Sequence, residues 1–168
     1  MTPVNEITVR AYQPVDRDGV ISVILPIQRE EFGIAISAAD QPDLAAIPDF
    51  YQSGKGQFWV AVREGEIVGT LGLKDIGNEQ AALRKMFVAS GVRGREYGVA
   101  AALLSALVAH STAQGLREIY LGTTDKFLAA HRFYEKNGFS EVRKDTLPPA
   151  FPVMAVDSKF YRRALSAS

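Results

Sequence analysis

Two glycines and two arginines stand directly ahead of a long apolar run in "VRGREYGVAAALLSALVAH" (residues 92–110). A loop feeding a helix start is an anion site in embryo, because first-turn N–H groups lack an intrahelical partner and the helix dipole places positive charge there. Gly94 and Gly98 let backbone approach a phosphate closely, and Arg93 and Arg95 can add charge-assisted hydrogen bonds. The same residues also fit a surface turn with solvated arginines, and locally the two readings weigh evenly. The spacing is not that of a dinucleotide-binding G-x-G-x-x-G, and no Gly-Lys-Ser or Gly-Lys-Thr makes a Walker loop. Glu30, Glu31 and Glu79 are carboxylates available for proton transfer. The adjacent pair Glu30-Glu31 also reads as a solvated helix face, and Glu79 as loop surface. His110 lies near a helix end with no evident chemistry. His131 could act as a base or touch a cofactor edge, but reads more simply as a structural histidine at a helix surface. Two isolated histidines and no cysteine argue against a metal site.

The chain that must position these residues has 168 of them, enough for one domain (1–168) with a real core. Nineteen basic and nineteen acidic residues balance, so no basic field argues for nucleic acid. The absence of cysteine removes disulfides and a thiol nucleophile and fits a reducing, cytoplasmic setting. The N-terminus lacks a signal-peptide pattern, and no window approaches the ~20 apolar residues of a membrane span, so no membrane association is expected.

Alternation and β-branching predict strands at Glu6–Tyr12, Phe58–Val62, Ile67–Leu73 and Ala81–Val88. The second and third are joined by a hairpin turn around Gly65. Helical spacing follows Pro14 and Asp16, with Pro26 expected to kink or split that helix, and a second helical segment is expected around "DLAAIPDFYQ". A long helix is predicted from Tyr97 to Gln114, stopped by Gly115. "REIYLGT" reads as a buried strand, and "DKFLAAHRFYEKN" as a helix with Asp125 as N-cap and Gly138 as stop. "FSEVRKD" and "VMAVDSKFYRRAL" read as two last strands, with Asp157 and Lys159 alternating as on an exposed or edge strand. The order β-αα-βββ-α-β-α-ββ predicts an α/β (α+β) domain with a mixed sheet and helices on both faces. The crossover from Ala81 to Gly122 should be parallel and right-handed.

"LRKMFVASGVRGREYGVAAALL" resembles the acetyl-CoA-binding segment of the GNAT family of N-acetyltransferases, whose signature is Arg/Gln-x-x-Gly-x-Gly/Ala between a strand and a helix. "REYGVA" matches at Arg95, Gly98 and Ala100; a second register opens at Arg93 and places Glu96 where glycine is usual. "AAHRFYEKNGF" resembles the family's closing segment, A-x-x-F/L-Y-x-x-x-G-F, at Ala130, Phe133, Tyr134, Gly138 and Phe139. Two motifs in the right order are far more specific than either alone. One departure is Phe127, at a position where many members carry asparagine.

The resemblance implies a mostly antiparallel sheet of about seven strands in which two parallel strands splay apart around acetyl-CoA. The cosubstrate's pantetheine arm would pair with backbone at Met86, Phe87 and Val88. Its pyrophosphate would lie on Arg93, Gly94, Arg95, Glu96, Tyr97, Gly98, Val99 and Ala100, with Ala130 and Phe133 nearby. Tyr97 also fits a simple packing role. A bound amine would attack the thioester, and Tyr134 would donate a proton to the leaving sulfur. A primary amine is protonated at neutral pH, with a reference pKa of ~10.4, so Glu30, Glu31, Glu79 or water would have to take its proton. Phe32, Tyr51, Trp59, Phe151 and Tyr161 are candidates to line the acceptor pocket, each also a candidate for core. The function implied is N-acetyl transfer to a small-molecule or peptide amine, the alternative being a non-catalytic acetyl-CoA or CoA sensor. A late edge strand leaves a homodimer open.

Overall fold

A computed structural model describes residues 6–31, 33–94, 97–125, 128–154 and 157–165. Its centre is a seven-stranded sheet in the order β1-β2-β3-β4-β5-β7-β6. The strands are β1 (Thr8–Ala11), β2 (Gln57–Arg63), β3 (Glu66–Gly77), β4 (Gln80–Val88), β5 (Glu118–Thr123), β6 (Ser140–Val142) and β7 (Lys159–Ala164). Every neighbouring pair is antiparallel except β4 and β5, which are parallel. The helices are α1 (Arg17–Pro26), α2 (Pro42–Ala45), α3 (Ile47–Phe50), α4 (Val99–Ala113) and α5 (Leu128–Lys136).

Strand alternation builds the two layers. In β2, Phe58 and Val60 face α1, α2 and α3, where they pack with Val20, Ile24, Leu44 and Ile47. Trp59 and Ala61 face the other way, onto a core that includes Leu103, Leu104 and Leu107 of α4 and Tyr134 of α5. This is the period-2 rule of a sheet covered on both sides. The hairpins use left-handed backbone, Glu64-Gly65 between β2 and β3 and Asn78-Glu79 between β3 and β4, as two-residue turns require. Helices α4 and α5 both stop at glycine, Gly115 and Gly138. Gly115 has φ +78°, and the bonds Gly115 N–H to Thr112 O (3.1 Å) and Leu116 N–H to Ser111 O (3.0 Å) form a Schellman cap.

Several expectations shift. Pro26 ends α1, and the chain continues as a π-helical turn, Ile27–Glu31; proline supplies no N–H to hold the α-helical ladder. The second helical segment splits into α2 and α3. The long helix begins at Val99, because Gly98 adopts φ +64° and serves as its N-cap; Tyr97 lies in the preceding turn. The "FSEVRKD" strand is only Ser140–Val142, followed by a 3-10 turn, Lys144–Thr146. The last strand begins at Lys159, and Asp157 precedes it. That strand is not an edge: β7 lies between β5 and β6, and the sheet edges are β1 and β6. Local alternation cannot tell an inserted strand from an edge strand, because neighbour identity is set by distant chain. Asp125 lies in a turn, and its relation to the start of α5 falls outside the described residues, as do Phe127 and Phe32.

The turn into α1 is pinned to β1. Asp16 is 5% exposed and accepts two bonds from Arg10, at 2.7 and 2.8 Å, and one from the Gln13 N–H at 2.8 Å. Arg10 foremost, and the Gln13 amide, hold its carboxyl below the usual carboxylate range against the opposing effect of burial. A depressed folded-state pKa contributes stability that is present above the unfolded value of ~3.9 and lost as pH falls through the folded one. Asp16→Asn is therefore expected to cost roughly 1–2 kcal/mol at neutral pH and to flatten the acid limb of a stability-versus-pH curve. An unchanged acid limb in urea melts from pH 2 to 6 would remove this role.

Candidate active site

The parallel ladder between β4 and β5 holds for only three pairs: Gln80–Glu118, Ala81–Ile119 and Ala82–Tyr120. β4 runs on to Val88 and β5 to Thr123 without pairing to each other. Past Ala82 the strands diverge and open a cavity of about 260 Å³, lined by both strands, by Ala130 and Tyr134 of α5, and by Phe151, Pro152, Met154 and Asp157. Gln28 and Gln41 form part of its wall and bond each other reciprocally at 3.0 and 2.9 Å.

A β-bulge coincides with the divergence. The β3–β4 register slips between Thr70 and Gly72, and Lys85 takes φ +55°. The other non-glycine residues with positive φ among those described all sit in hairpin turns; Lys85 alone is inside a strand. Such a conformation persists only where surroundings impose it, and Thr70 Oγ1 donates to Lys85 O at 2.7 Å. The extra residue resets the alternation. Leu83, Met86 and Val88 pack against the α4–α5 layer, whereas Phe87 packs against the α1–α3 layer. Arg84 and Lys85, adjacent in sequence, both approach Asp43 of α2, at 4.0 and 3.6 Å.

Tyr134 is placed by its helix terminus. Phe139 N–H bonds Tyr134 O at 3.1 Å across Gly138, which has φ +89°, and the two rings meet edge-on at 5.6 Å. This is a Schellman cap with its apolar contact. The phenol, 7% exposed, reaches into the cleft, and its hydrogen-bond partner among the described residues is the thioether of Met86 at 3.7 Å. Burial pushes its pKa above the ordinary tyrosine value, so the hydroxyl is a proton donor at neutral pH and not a base.

At the start of α4, the first i→i−4 bond is Ala102 N–H to Gly98 O, 2.9 Å. The amides of Val99, Ala100 and Ala101 precede it. Among the described residues no side chain caps the helix, so these donors and the dipole of a fifteen-residue helix are left without a side-chain partner there. Gly94 has φ +108°. Arg93 turns away: its guanidinium grips Glu31 at 2.6 and 2.8 Å and bonds Val88 O at 2.9 Å. Tyr97 packs beneath the Arg63 guanidinium, 5.4 Å from its ring centre. Arg95 and Glu96 lie outside the described residues.

Of the residues singled out by sequence, Met86, Phe87, Ala130 and Tyr134 line the cavity. Val88 does not line it and pairs with Gly69 of β3, and Phe133 packs against Tyr134. None of the three glutamates lines it. Glu31 is held by Arg93, Glu30 is exposed, and Glu79 sits in the hairpin turn at the closed end of the strand pair, where its carbonyl accepts Arg117 N–H at 2.7 Å. Among the aromatics, Phe151 lines the cavity, while Tyr51, Trp59 and Tyr161 are core. His131 is not a surface residue: it is 5% exposed, with Nε2 2.9 Å from Thr124 O. His110 is bound to Lys55 O at 3.0 Å and stacks edge-on with Trp59. Asp157 is the only acid in the lining among the described residues. Its carboxylate accepts Met154 N–H at 2.9 Å and lies over Gly122, where a Cβ would come within 2.6 Å of Oδ2. Sequence reasoning missed Arg84, Lys85 and Asp43. The available signal was "RK" inside a strand, where strict alternation would drive one cation into an apolar layer.

No group of acids and histidines among the described residues is arranged to hold a metal ion, and no helix there is long and apolar enough to cross a membrane. The cleft suits a thin, amide-bearing arm, because β4 and β5 offer unpaired backbone on facing edges. The helix start beside it suits a phosphate group.

The family model for the acetyltransferase (GNAT) family matches residues 22–139. A GNAT-family acetyltransferase from Staphylococcus aureus Mu50 has the same fold, with a TM-score of 0.91 and 41% identity, covering 96% of this chain and 100% of that one. The N-acetylaspartate synthetase of Xenopus tropicalis is 37% identical over 111 residues, 64% of this chain and 40% of that protein, so the match spans well under half of that relative. PaiA N-acetyltransferase from Thermoplasma acidophilum, solved with coenzyme A, shares the fold at a TM-score of 0.70 and 17% identity. The cosubstrate of such enzymes is acetyl-CoA. Match length, fold and the opened strand pair agree: the chain belongs to the GNAT family of acetyltransferases.

Proposed function

We propose that the chain transfers an acetyl group from acetyl-CoA directly to a primary amine. The observation that carries this reading is a buried phenol, Tyr134, which lines the cleft where the β4–β5 ladder ends and whose hydroxyl, among the described residues, meets only a thioether there. Acetyl-CoA supplies an acyl thioester at that point. The unpaired edge of β4 from Leu83 to Val88 binds the arm that carries it, and the amides of Val99, Ala100 and Ala101 with the α4 dipole bind its pyrophosphate. Because Arg93 is engaged with Glu31, the signature opens at Arg95. A backbone N–H of the diverging strand stabilises charge on the acyl oxygen. Tyr134 gives its proton to the departing sulfur. A thioether is a weak acceptor, so turning the hydroxyl to a thiolate sacrifices little.

Two variants test this. Tyr134→Phe is expected to lower kcat by roughly 10²–10⁴-fold and to leave the acetyl-CoA dissociation constant within about threefold. Equal losses in both would make Tyr134 a packing residue, and intact binding in a wild type without turnover would favour a CoA sensor. Gly98→Asp should weaken acetyl-CoA by at least about tenfold in titration calorimetry while the protein stays folded. Aspartate tolerates left-handed backbone and is itself a good N-cap, but its carboxylate occupies the anion site. Unchanged affinity would reduce the loop to a turn.

A further inference from the structure

The cleft carries charge that acetyl transfer to an arbitrary amine does not need. Arg84 and Lys85 both line it, with side chains only 11% and 8% exposed. One buried carboxylate, Asp43, serves both, yet it lies 4.0 Å from Arg84 and 3.6 Å from Lys85, beyond close hydrogen-bond range. Asp43 is itself engaged by the Tyr51 hydroxyl at 2.6 Å. The remaining contacts of Arg84 among the described residues are with neutral groups: Tyr51 Oη and Pro152 O at 3.3 Å, Met154 Sδ at 3.5 Å and the Phe50 ring, 5.5 Å from the guanidinium. Two desolvated basic groups thus share one nearby carboxylate at a distance, and burial lowers the Lys85 pKa against the pull of Asp43 and Asp157, an arrangement that is costly unless a further anion completes it. A bulge and a left-handed lysine hold them side by side.

Opposite them stands Asp157. No cation pairs with it among the described residues, and burial pushes its carboxyl up, against the opposing pull of the Met154 amide, Arg84 and Lys85. The two poles are close. Arg84 and Lys85 line the same cavity as Asp157 and act electrostatically on its carboxyl. Met154 touches both, through Sδ to Arg84 and N–H to Asp157.

We propose that the acceptor is a small amino acid with a free α-carboxylate, held at that carboxylate by Arg84 and Lys85 with its amine presented to Asp157. This rests on the acetyl-transfer reading and names its substrate class. The adjacent cationic and anionic walls match the short separation of charges in an α-amino acid. A lysine side chain or peptide N-terminus brings a cation without the compensating anion and is repelled by the same pair. In the reaction, Asp157 takes one proton from the ammonium. The freed nitrogen lone pair forms the C–N bond as the C–S bond breaks, the sulfur takes the Tyr134 proton, and the second nitrogen proton restores the phenol. One proton is released to solvent from Asp157 in each cycle.

The test is free-thiol release with acetyl-CoA across the twenty common amino acids, then with the methyl ester and the decarboxylated amine of the best one. Binding of the same compounds to CoA-saturated protein is followed by calorimetry. The free acid is expected to exceed its ester by roughly 100-fold or more in kcat/KM. Lys85→Met and Arg84→Gln are each expected to erase most of that preference while keeping acetyl-CoA affinity within about threefold. Asp157→Asn should keep amino-acid binding and lose at least about 100-fold in kcat; retained kcat would remove it from proton transfer. Equal turnover of acid, ester and amine overturns the carboxylate clamp but not acetyl transfer. Carboxylate-dependent binding without turnover does the reverse. If no amino acid binds or is acetylated, the clamp is wrong.

Discussion

Three backbone pairs hold β4 to β5, and then the ladder stops. The cavity of the candidate site follows from that interruption. Continuous pairing would satisfy the strand edges internally; diverging strands present donors and acceptors that need another partner. The sheet tolerates the gap because each strand is paired on its other side, β4 with β3 and β5 with β7. The opening is therefore a slot in a stiff sheet and not a frayed end.

The bulge at Lys85 decides what lines the slot. It bends β4 and moves the side-chain alternation by one residue. On the α4–α5 side this leaves an apolar wall of Leu83 and Met86 around one phenol. On the α2 side it sets two consecutive cations above Asp43. A single irregularity thereby separates a buried phenol from a charged wall across one strand.

The parts of this architecture legible in sequence were those fixed by short-range rules. The alternation in "QFWVAV", the glycine stops at Gly115 and Gly138, and the parallel crossover all follow from local spacing. Tyr134 was singled out by the family resemblance, and the same Gly138-Phe139 cap that ends α5 packs its ring. What escaped depends on distant chain. Asp157 read as a strand-face residue, yet it hangs over Gly122 because β7 inserts between β5 and β6. Glu31 read as a candidate base, yet it is taken by Arg93, far away in sequence. Arg84 and Lys85 were part of a recognised strand, but the bulge that makes them neighbours is set by Thr70 of β3. Site chemistry here is written in pairings, which one chain read locally does not display.

Residue-resolved hydrogen exchange with and without acetyl-CoA tests the central claim most directly. If the interrupted ladder is the cosubstrate's seat, acetyl-CoA slows exchange at amides within Leu83–Val88 and at Val99–Ala101, while Gln80–Ala82, already paired to β5, stays unchanged. Saturating acetyl-CoA that leaves exchange along Leu83–Val88 untouched would contradict the account.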